Sequence, residues 1–267
     1  MQKSRQTTQK EAMQKNAVRH ALVTGGGRGI GAAIARALVK RGLQVTLLGR
    51  KLDVVQALAA EAPDRFHAVA ADVSDAAQVA AALADAQARF GPVNILVNNA
   101  GQAETAPFLK MDAALWQRML QVNLTGTMIC TQAALPGMLA VGWGRIVNVA
   151  STAGQTGYAY VSAYCAAKHG VIGLTRALAL ELAATGVTVN AVCPGYTETD
   201  ILRESIERIV AKTGRSADEA RAVFTRSNPQ GRLVQPEEVA DAVAWLCSED
   251  AGAVTGQSVS VSGGEVM

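Results

Sequence analysis

Seven short runs of β-branched and apolar residues recur along this chain, and each of the first six is followed by a stretch with helical spacing, most of them rich in alanine and leucine. The runs are "ALVTG" (21–25), "QVTLLG" (44–49), "FHAVAADV" (66–73), "NILVNNAG" (94–101), "RIVNVAS" (145–151), "VTVNAVCPG" (187–195) and "SVSVSGG" (258–264). They are almost continuously apolar, which marks strands covered by helices on both faces. Helical patterns lie between them at about 29–42, 51–61, 75–90, 112–140, 160–184 and 236–247. Strand–helix–strand alternation of this kind predicts a Rossmann-like, doubly wound α/β fold with a seven-stranded parallel sheet. No internal repeat and no Pro-, Gly- or Ser-rich linker interrupts it, so residues 17–267 read as one domain. One segment breaks the rhythm: 196–235 runs polar and charged without a strand. It leaves the C-terminal end of a strand, where open α/β sheets bind ligands, and so reads as a substrate lid.

Composition narrows the function. No apolar run approaches the ~18 residues of a membrane span, and the basic start of the chain has no apolar core behind it, so no secretory signal is expected and the cytoplasm is the default. Residues 1–20 carry Lys3, Arg5, Lys10, Lys15 and Arg19 against Glu11, while the whole 267-residue chain is only +3. The basicity therefore belongs to a polar extension, expected to be disordered over 1–16, and not to a folded nucleic-acid surface. Cys130, Cys165, Cys193 and Cys247 are widely separated, and only His20, His67 and His169 accompany them. Reduced thiols and no metal site are expected.

The first strand runs directly into "TGGGRGIG", which opens a helix. Gly25, Gly29 and Gly31 there would let backbone N–H groups approach a pyrophosphate at the helix N-terminus. The second strand bears on the choice of dinucleotide. An NAD enzyme usually places Asp or Glu near its end, to accept from the ribose 2′-OH. Gly49 stands at that place, followed by Arg50 and Lys51. With Arg28 in the glycine turn, these cations suit a 2′-phosphate. Asp53 is also in range, but at a predicted helix start, where an acid serves the helix N-terminus. NADP(H) is the expected cofactor, with NAD(H) the alternative.

Three of the four tyrosines fall in "STAGQTGYAYVSAYCAAKHG" (151–170). Tyr164 and Lys168 are i, i+4 on a predicted helix and share a face. A neighbouring ammonium would lower the tyrosine from its ordinary value near ~10 toward general acid/base use. Tyr160 is roughly 12 Å along the helix from Lys168, and Tyr158 precedes the helix. Those two either line the pocket mouth or pack. Ser151 closes a strand at the edge where substrates bind, so its hydroxyl can polarise a carbonyl that Tyr164 protonates. Asn123 sits inside a long helix, where asparagine is unfavourable, and calls for a polar task such as holding a water beside Lys168. His169 points about 100° away from Lys168 on the helix and reads as surface or interface.

"TGGGRGIG", "DV" (72–73), "NNAG" (98–101), Asn123, Ser151, "YCAAK" (164–168) and "PG" (194–195), in that order, resemble the classical short-chain dehydrogenase/reductases over nearly the whole chain from about residue 17. The resemblance implies a catalytic tetrad of Asn123, Ser151, Tyr164 and Lys168. Tyr164 would pass the proton, Ser151 orient the substrate oxygen, Lys168 bind the nicotinamide ribose, and Asn123 keep a proton-relay water. Asp72 and Val73 would contact the adenine, Asn99 and Gly101 the adenosine ribose region, and Thr199 the nicotinamide carboxamide. Gly27, Ile30, Ala100, Pro194, Gly195 and Thr197 complete the implied cofactor set. Cys165 and Ser262 depart from the commoner Ser and Asp of the family without touching the mechanism.

The expected activity is hydride transfer between NADP(H) and a carbonyl or secondary alcohol. "VNAVCPGYTET" and "GRLVQPEEVADAVAWL" most resemble the ketoacyl-thioester and polyketide ketoreductases, so the expected substrate is a 3-oxoacyl thioester on CoA or an acyl carrier protein, with 3-hydroxyacyl-CoA oxidation as the reverse. Arg203, Arg208, Lys212, Arg215, Arg221, Arg226 and Arg232 along 196–235 suit such an acidic carrier. The rivals are an NAD-dependent dehydrogenase of small secondary or cyclic alcohols or sugars, and a non-catalytic dinucleotide-binding regulator. The resemblance also implies a homo-oligomer, dimer or tetramer, through the helices at 112–140 and 160–184.

Overall fold

The computed structural model describes residues 19–267; the extension expected at 1–16 lies outside the described residues. Strands β1 (His20–Thr24), β2 (Gln44–Gly49), β3 (Phe66–Ala70), β4 (Val93–Asn98), β5 (Gly144–Val149), β6 (Val187–Pro194) and β7 (Ser258–Val261) form one sheet. Their order is β3-β2-β1-β4-β5-β6-β7, every neighbouring pair parallel. The winding direction reverses between β1 and β4, which opens a crevice at their C-terminal ends.

Helices α1 (Gly29–Lys40), α2 (Leu52–Ala59), α3 (Ala76–Phe90), α4 (Ala113–Leu120), α5 (Gly126–Val141), α6 (Ser162–Glu181), α7 (Asp200–Thr213), α8 (Ala217–Thr225) and α9 (Pro236–Leu246) complete the described elements. Alternate residues of each strand face opposite sides. Ala21, Val23, Val45 and Leu47 join the alanines of α1 and the apolar stripe of α9 in one core. Leu22, Leu48 and Leu96 join α3 and α5 in the other. Every residue of β1, β5 and β6 is buried, as strands with two covered faces require.

Several strands stop short of their apolar runs. β3 ends at Ala70, β4 at Asn98 and β5 at Val149, although the runs continue to 73, 101 and 151. One more residue of β3 and of β5 still bonds to its neighbour, Ala71 to the Gly49 carbonyl and Ala150 to the Val192 carbonyl, before the chain leaves the ladder. Asp72, for example, folds back so that its Oδ1 accepts from the Ser74 N–H at 2.9 Å and the Ser74 hydroxyl at 2.6 Å.

The excursion at 196–235 holds two helices, α7 and α8, with their own small core of Leu202, Ile206, Ala220 and Leu233. Its ends are pinned together: the Val234 N–H donates to the Tyr196 carbonyl at 2.9 Å and the Glu198 N–H to the Val234 carbonyl at 2.8 Å. Helices α4 and α5 run on through one turn of π-helix (Gln121–Thr125) as a single rod, Ala113–Val141. By length and composition alone, with a hydropathy of 1.3, this rod could cross a membrane. Its interior polar groups are instead spent inside the fold: Thr131 accepts from Asn98 of β4 at 3.0 Å, and Thr127 bonds back to the Asn123 carbonyl.

At the opposite end of the sheet, His20 is 1% exposed. Its ring is held by the Gly91 carbonyl and the Thr46 hydroxyl, each at 2.9 Å, and meets Phe90 edge-on. Burial holds its pKa below the ordinary value, outweighing the Gly91 hydrogen bond. Above the unfolded value near ~6.5 the ring is neutral in both states and contributes no pH dependence. Below it the unfolded chain takes a proton that the folded ring refuses, so stability falls by at most ~1.4 kcal/mol per pH unit. Urea denaturation between pH 7 and 5 is expected to show a shallower slope for His20→Gln than for wild type; parallel slopes would show that His20 does not carry the effect.

Candidate active site

Ser151 stands just past the end of β5. Its Oγ accepts from the Ala153 N–H at 3.1 Å and caps a single tight turn, Thr152–Gly154. Tyr164 enters from the first turn of α6, and its hydroxyl lies close enough to Ser151 for that side chain to pull the phenol down. Lys168, one helical turn on, is 4% exposed. Its Nζ donates to the Val149 carbonyl at 2.8 Å and lies 5.7 Å from the Tyr164 ring centroid. Among the described residues it makes no ion pair.

A buried ammonium with no carboxylate is costly, and burial pushes Lys168 down to about 8. A pair on a solvated helix face would carry no such cost, and uncompensated burial of charge is characteristic of functional sites. Burial pushes Tyr164 up to about 12, against the downward pull of the Ser151 hydrogen bond. Burial therefore dominates the phenol, with the Lys168 ammonium bonded to the Val149 carbonyl and 5.7 Å from the ring centroid. Tyr164 is accordingly a protonated donor at neutral pH.

Asn123 falls in the turn of π-helix between α4 and α5 and is 1% exposed. Its Nδ2 donates to the carbonyls of Gln102 and Met119, both at 2.9 Å, and its Oδ1 accepts from the Gln102 N–H at 3.2 Å. The side chain therefore holds the backbone after β4 in place. Gly101 passes between this amide and Lys168: a Cβ there would lie 2.8 Å from Asn123 Oδ1 and 3.7 Å from Lys168 Nζ.

The glycine turn is bare backbone at the N-terminus of α1. Gly25 (φ +63°) and Gly29 (φ +52°) lie in the left-handed region. A Cβ at Gly31 would lie 2.1 Å from the Gly25 carbonyl, so no side chain fits. Arg28 is exposed at the helix cap, Ile30 follows it, and Gly27 packs on Val54 and Val55 of α2. Across the crevice, Thr199 caps α7 and brings its methyl within 3.4 Å of where a Gly29 side chain would begin. The Thr197 hydroxyl closes onto the Gly195 carbonyl at 2.9 Å, one residue beyond Pro194. This cradle of N–H groups and small residues fits the phosphates of a dinucleotide.

At the far end of β2, a Cβ on Gly49 would meet Val55 Cγ1 at 2.9 Å. The acid that would read a free ribose 2′-OH is thus shut out by packing. Arg50 is exposed, with Asp72 the nearby charge it acts on, and Asp53 lies in the first turn of α2 as expected.

The side chains of two implied cofactor contacts are engaged within the fold. Asn99 donates from Nδ2 to the Thr24 and Gly25 carbonyls at 3.0 and 3.2 Å, tying the end of β4 to the glycine turn. Val73 is buried against Gly126. Thr24 escaped the sequence reading altogether. Its Oγ1 accepts from the Asn99 and Ala100 N–H groups at 3.0 and 2.9 Å; a threonine closing an otherwise apolar strand was the available signal.

Of the other tyrosines, Tyr160 is 65% exposed with φ +70°, its carbonyl held by the Ala106 N–H at 2.8 Å. Tyr158 is half-buried, its hydroxyl within 2.8 Å of both Thr152 Oγ1 and Glu265 Oε1. Neither contacts Lys168. His169 is exposed and its Nδ1 lies 2.9 Å from the Cys165 carbonyl on its own helix.

A family model described as short chain dehydrogenase matches residues 19–209. Cis-4-hydroxycyclohexanecarboxylate dehydrogenase of Sinomonas cyclohexanicum is 43% identical over 251 residues, covering 93% of this chain and 96% of that protein. Acetoacetyl-CoA reductase of Rhizobium meliloti is 42% identical over 247 residues, 92% of this chain and 98% of that one. Among solved structures, a variant of actinorhodin polyketide ketoreductase with NADPH superposes with a TM-score of 0.89 at 41% identity, covering 93% of this chain and 97% of that one.

Proposed function

Since the chain belongs to the short chain dehydrogenase family and is an oxidoreductase acting on carbonyl or CH–OH groups, we propose that it reduces a 3-oxoacyl thioester, on CoA or an acyl carrier protein, with NADPH. The observation that carries the chemistry is the meeting of the Ser151 and Tyr164 hydroxyls beside a buried, unpaired Lys168. Ser151 donates to the substrate carbonyl oxygen and orients it. Tyr164, protonated at neutral pH, gives that oxygen its proton. Lys168 would hold the ribose hydroxyls, and it keeps positive charge 5.7 Å from the centroid of the phenol ring. Asn123 fixes the backbone at Gly101 and Gln102 that walls this side of the site. When bound, the nicotinamide supplies the hydride. The glycine turn, Arg28 and Arg50 would hold the adenosine phosphates, and Thr197 and Thr199 the nicotinamide end.

The 196–235 excursion is the lid of this cleft. Residues 17–267 act as one catalytic domain, placed in the cytoplasm. Thioester carriers are supported by the acetoacetyl-CoA reductase and ketoreductase relatives; the cations of α7 and α8 are balanced by Asp200, Glu204, Glu207, Asp218 and Glu219 and add no support. A second reading, oxidation of a cyclic secondary alcohol, is favoured by the likeness to the cyclohexanecarboxylate enzyme. A homo-oligomer is supported by the rod Ala113–Val141, of whose most apolar window only 33% is buried within the chain.

Steady-state oxidation of NADPH by acetoacetyl-CoA tests the first reading. Turnover with the thioester well above that with cyclohexanones is expected. The opposite ranking would move the assignment to cyclic alcohols and leave the catalytic residues standing.

A further inference from the structure

One carboxylate at the C-terminus joins three segments that are far apart in sequence. Beyond β7 the chain reverses through Gly263 (φ +63°) and Gly264 (φ +91°), which lie against Asn228 and Pro229. A Cβ at Gly263 would fall 2.2 Å from Asn228 Oδ1, so this turn admits no side chain. Asn228 is itself fixed, donating to the Arg232 carbonyl and accepting from the Gln230 N–H, both at 2.8 Å. The turn delivers Glu265 to the rim of the cleft.

There Glu265 Oε1 accepts from the Tyr158 hydroxyl at 2.8 Å and from the Ser227 hydroxyl at 2.6 Å. Its Oε2 lies 2.8 Å from the place a Gly195 side chain would occupy. Tyr158 belongs to the loop between Ser151 and Tyr164. Ser227 follows the end of α8, and Gly195 immediately precedes the lid. The aromatic rings follow the same path: Tyr158 meets Tyr196 at 6.2 Å between centroids, and Tyr196 meets Phe224 of α8 at 5.1 Å. Glu265 makes no ion pair among the described residues, so hydroxyl donors alone hold it. Hydrogen bonds to a charged acceptor are the stronger kind, and a rigid turn spares much of the entropy of ordering it.

We propose that Glu265 is a positioning residue for the substrate cleft, its carboxylate tying the Tyr158 loop to the lid through Ser227 and so setting how far the lid stands open. It acts through Tyr158 and Ser227, not on the reacting atoms. The idea rests on the reading of this cleft as the substrate site, and the test separates the two.

The lid exposes Arg203, Arg208, Lys212, Arg215, Arg221 and Arg226, so trypsin reads its opening without any substrate. For Glu265→Ala, cleavage within 200–226 is expected to quicken about fivefold while sites elsewhere keep their wild-type rates, and KM for acetoacetyl-CoA to rise about fivefold with kcat within about twofold. Glu265→Gln keeps an acceptor oxygen and should recover most of both effects. Ser227→Ala, which removes one exposed hydroxyl, should shift both in the same direction by about twofold. Cleavage and KM at wild-type values in Glu265→Ala would overturn the latch. A change in cleavage with no thioester turnover in any variant, wild type included, would leave the latch standing and overturn the substrate reading.

Discussion

Tyr164→Phe should fold, bind NADPH and lose about a thousandfold in kcat for carbonyl reduction. The substitution keeps the ring and removes the one hydroxyl that meets Ser151. Because that oxygen touches the substrate only as a proton moves, the loss belongs in kcat, with the cofactor affinity unchanged by titration of protein fluorescence. The neighbouring tyrosines cannot substitute for it. Tyr158 donates its single proton to Glu265, and Tyr160 points to solvent. The pH profile follows from the same geometry. A phenol held up near 12 stays protonated throughout the accessible range. Lys168, pushed down to about 8, is charged below that value and neutral above it. The kcat/KM for reduction is therefore expected to hold at neutral pH and decline above about 8, when the positive charge behind the phenol is lost. Residual activity of Tyr164→Phe within tenfold of wild type would remove Tyr164 as the proton donor.

Much of this arrangement could be read from residue order because its parts are local. Alternating apolar runs dictate strands, a glycine cluster between strand and helix dictates a phosphate turn, and an i, i+4 tyrosine and lysine dictate a shared face. The ends of the strands were less legible. Asp72, Asn99 and Ser151 continue apolar runs, so periodicity alone carries each strand past the point where the ladder stops; these side chains or their neighbours take up local hydrogen bonds instead. The task of Asn123 was half legible. Its unfavourable place in a helix betrayed a polar role, but the partner is the Gln102 backbone, brought close by the fold and not by sequence. The balance of charges around Tyr164 could not be read at all. Spacing fixes that Lys168 is near, whereas burial and the Val149 carbonyl decide what it does. Glu265 is the extreme case, with partners 38 and 107 residues away.

The choice of dinucleotide gives the second large effect. Arg28→Ala and Arg50→Ala should each raise KM for NADPH about tenfold, and the double variant about a hundredfold, with KM for NADH changed less than threefold. Both guanidiniums are exposed and make no ion pair among the described residues, so a 2′-phosphate would meet cations already free to receive it. Exposure also means screening, and the advantage of NADPH over NADH should shrink as salt rises from 0.05 to ~0.5 M. Losing these charges does not by itself create a good NADH enzyme. The acid that would read a free 2′-OH belongs at Gly49, and Val55 of α2 occupies that space. Gly49→Asp alone should therefore cost stability, and only together with Val55→Ala should it bring KM for NADH down in the Arg50→Ala background. Cofactor kinetics across these variants test the packing and the charge separately. Equal rises in KM for NADPH and NADH on removing Arg28 and Arg50 would mean that they hold the shared pyrophosphate, and that the 2′-phosphate is recognised elsewhere.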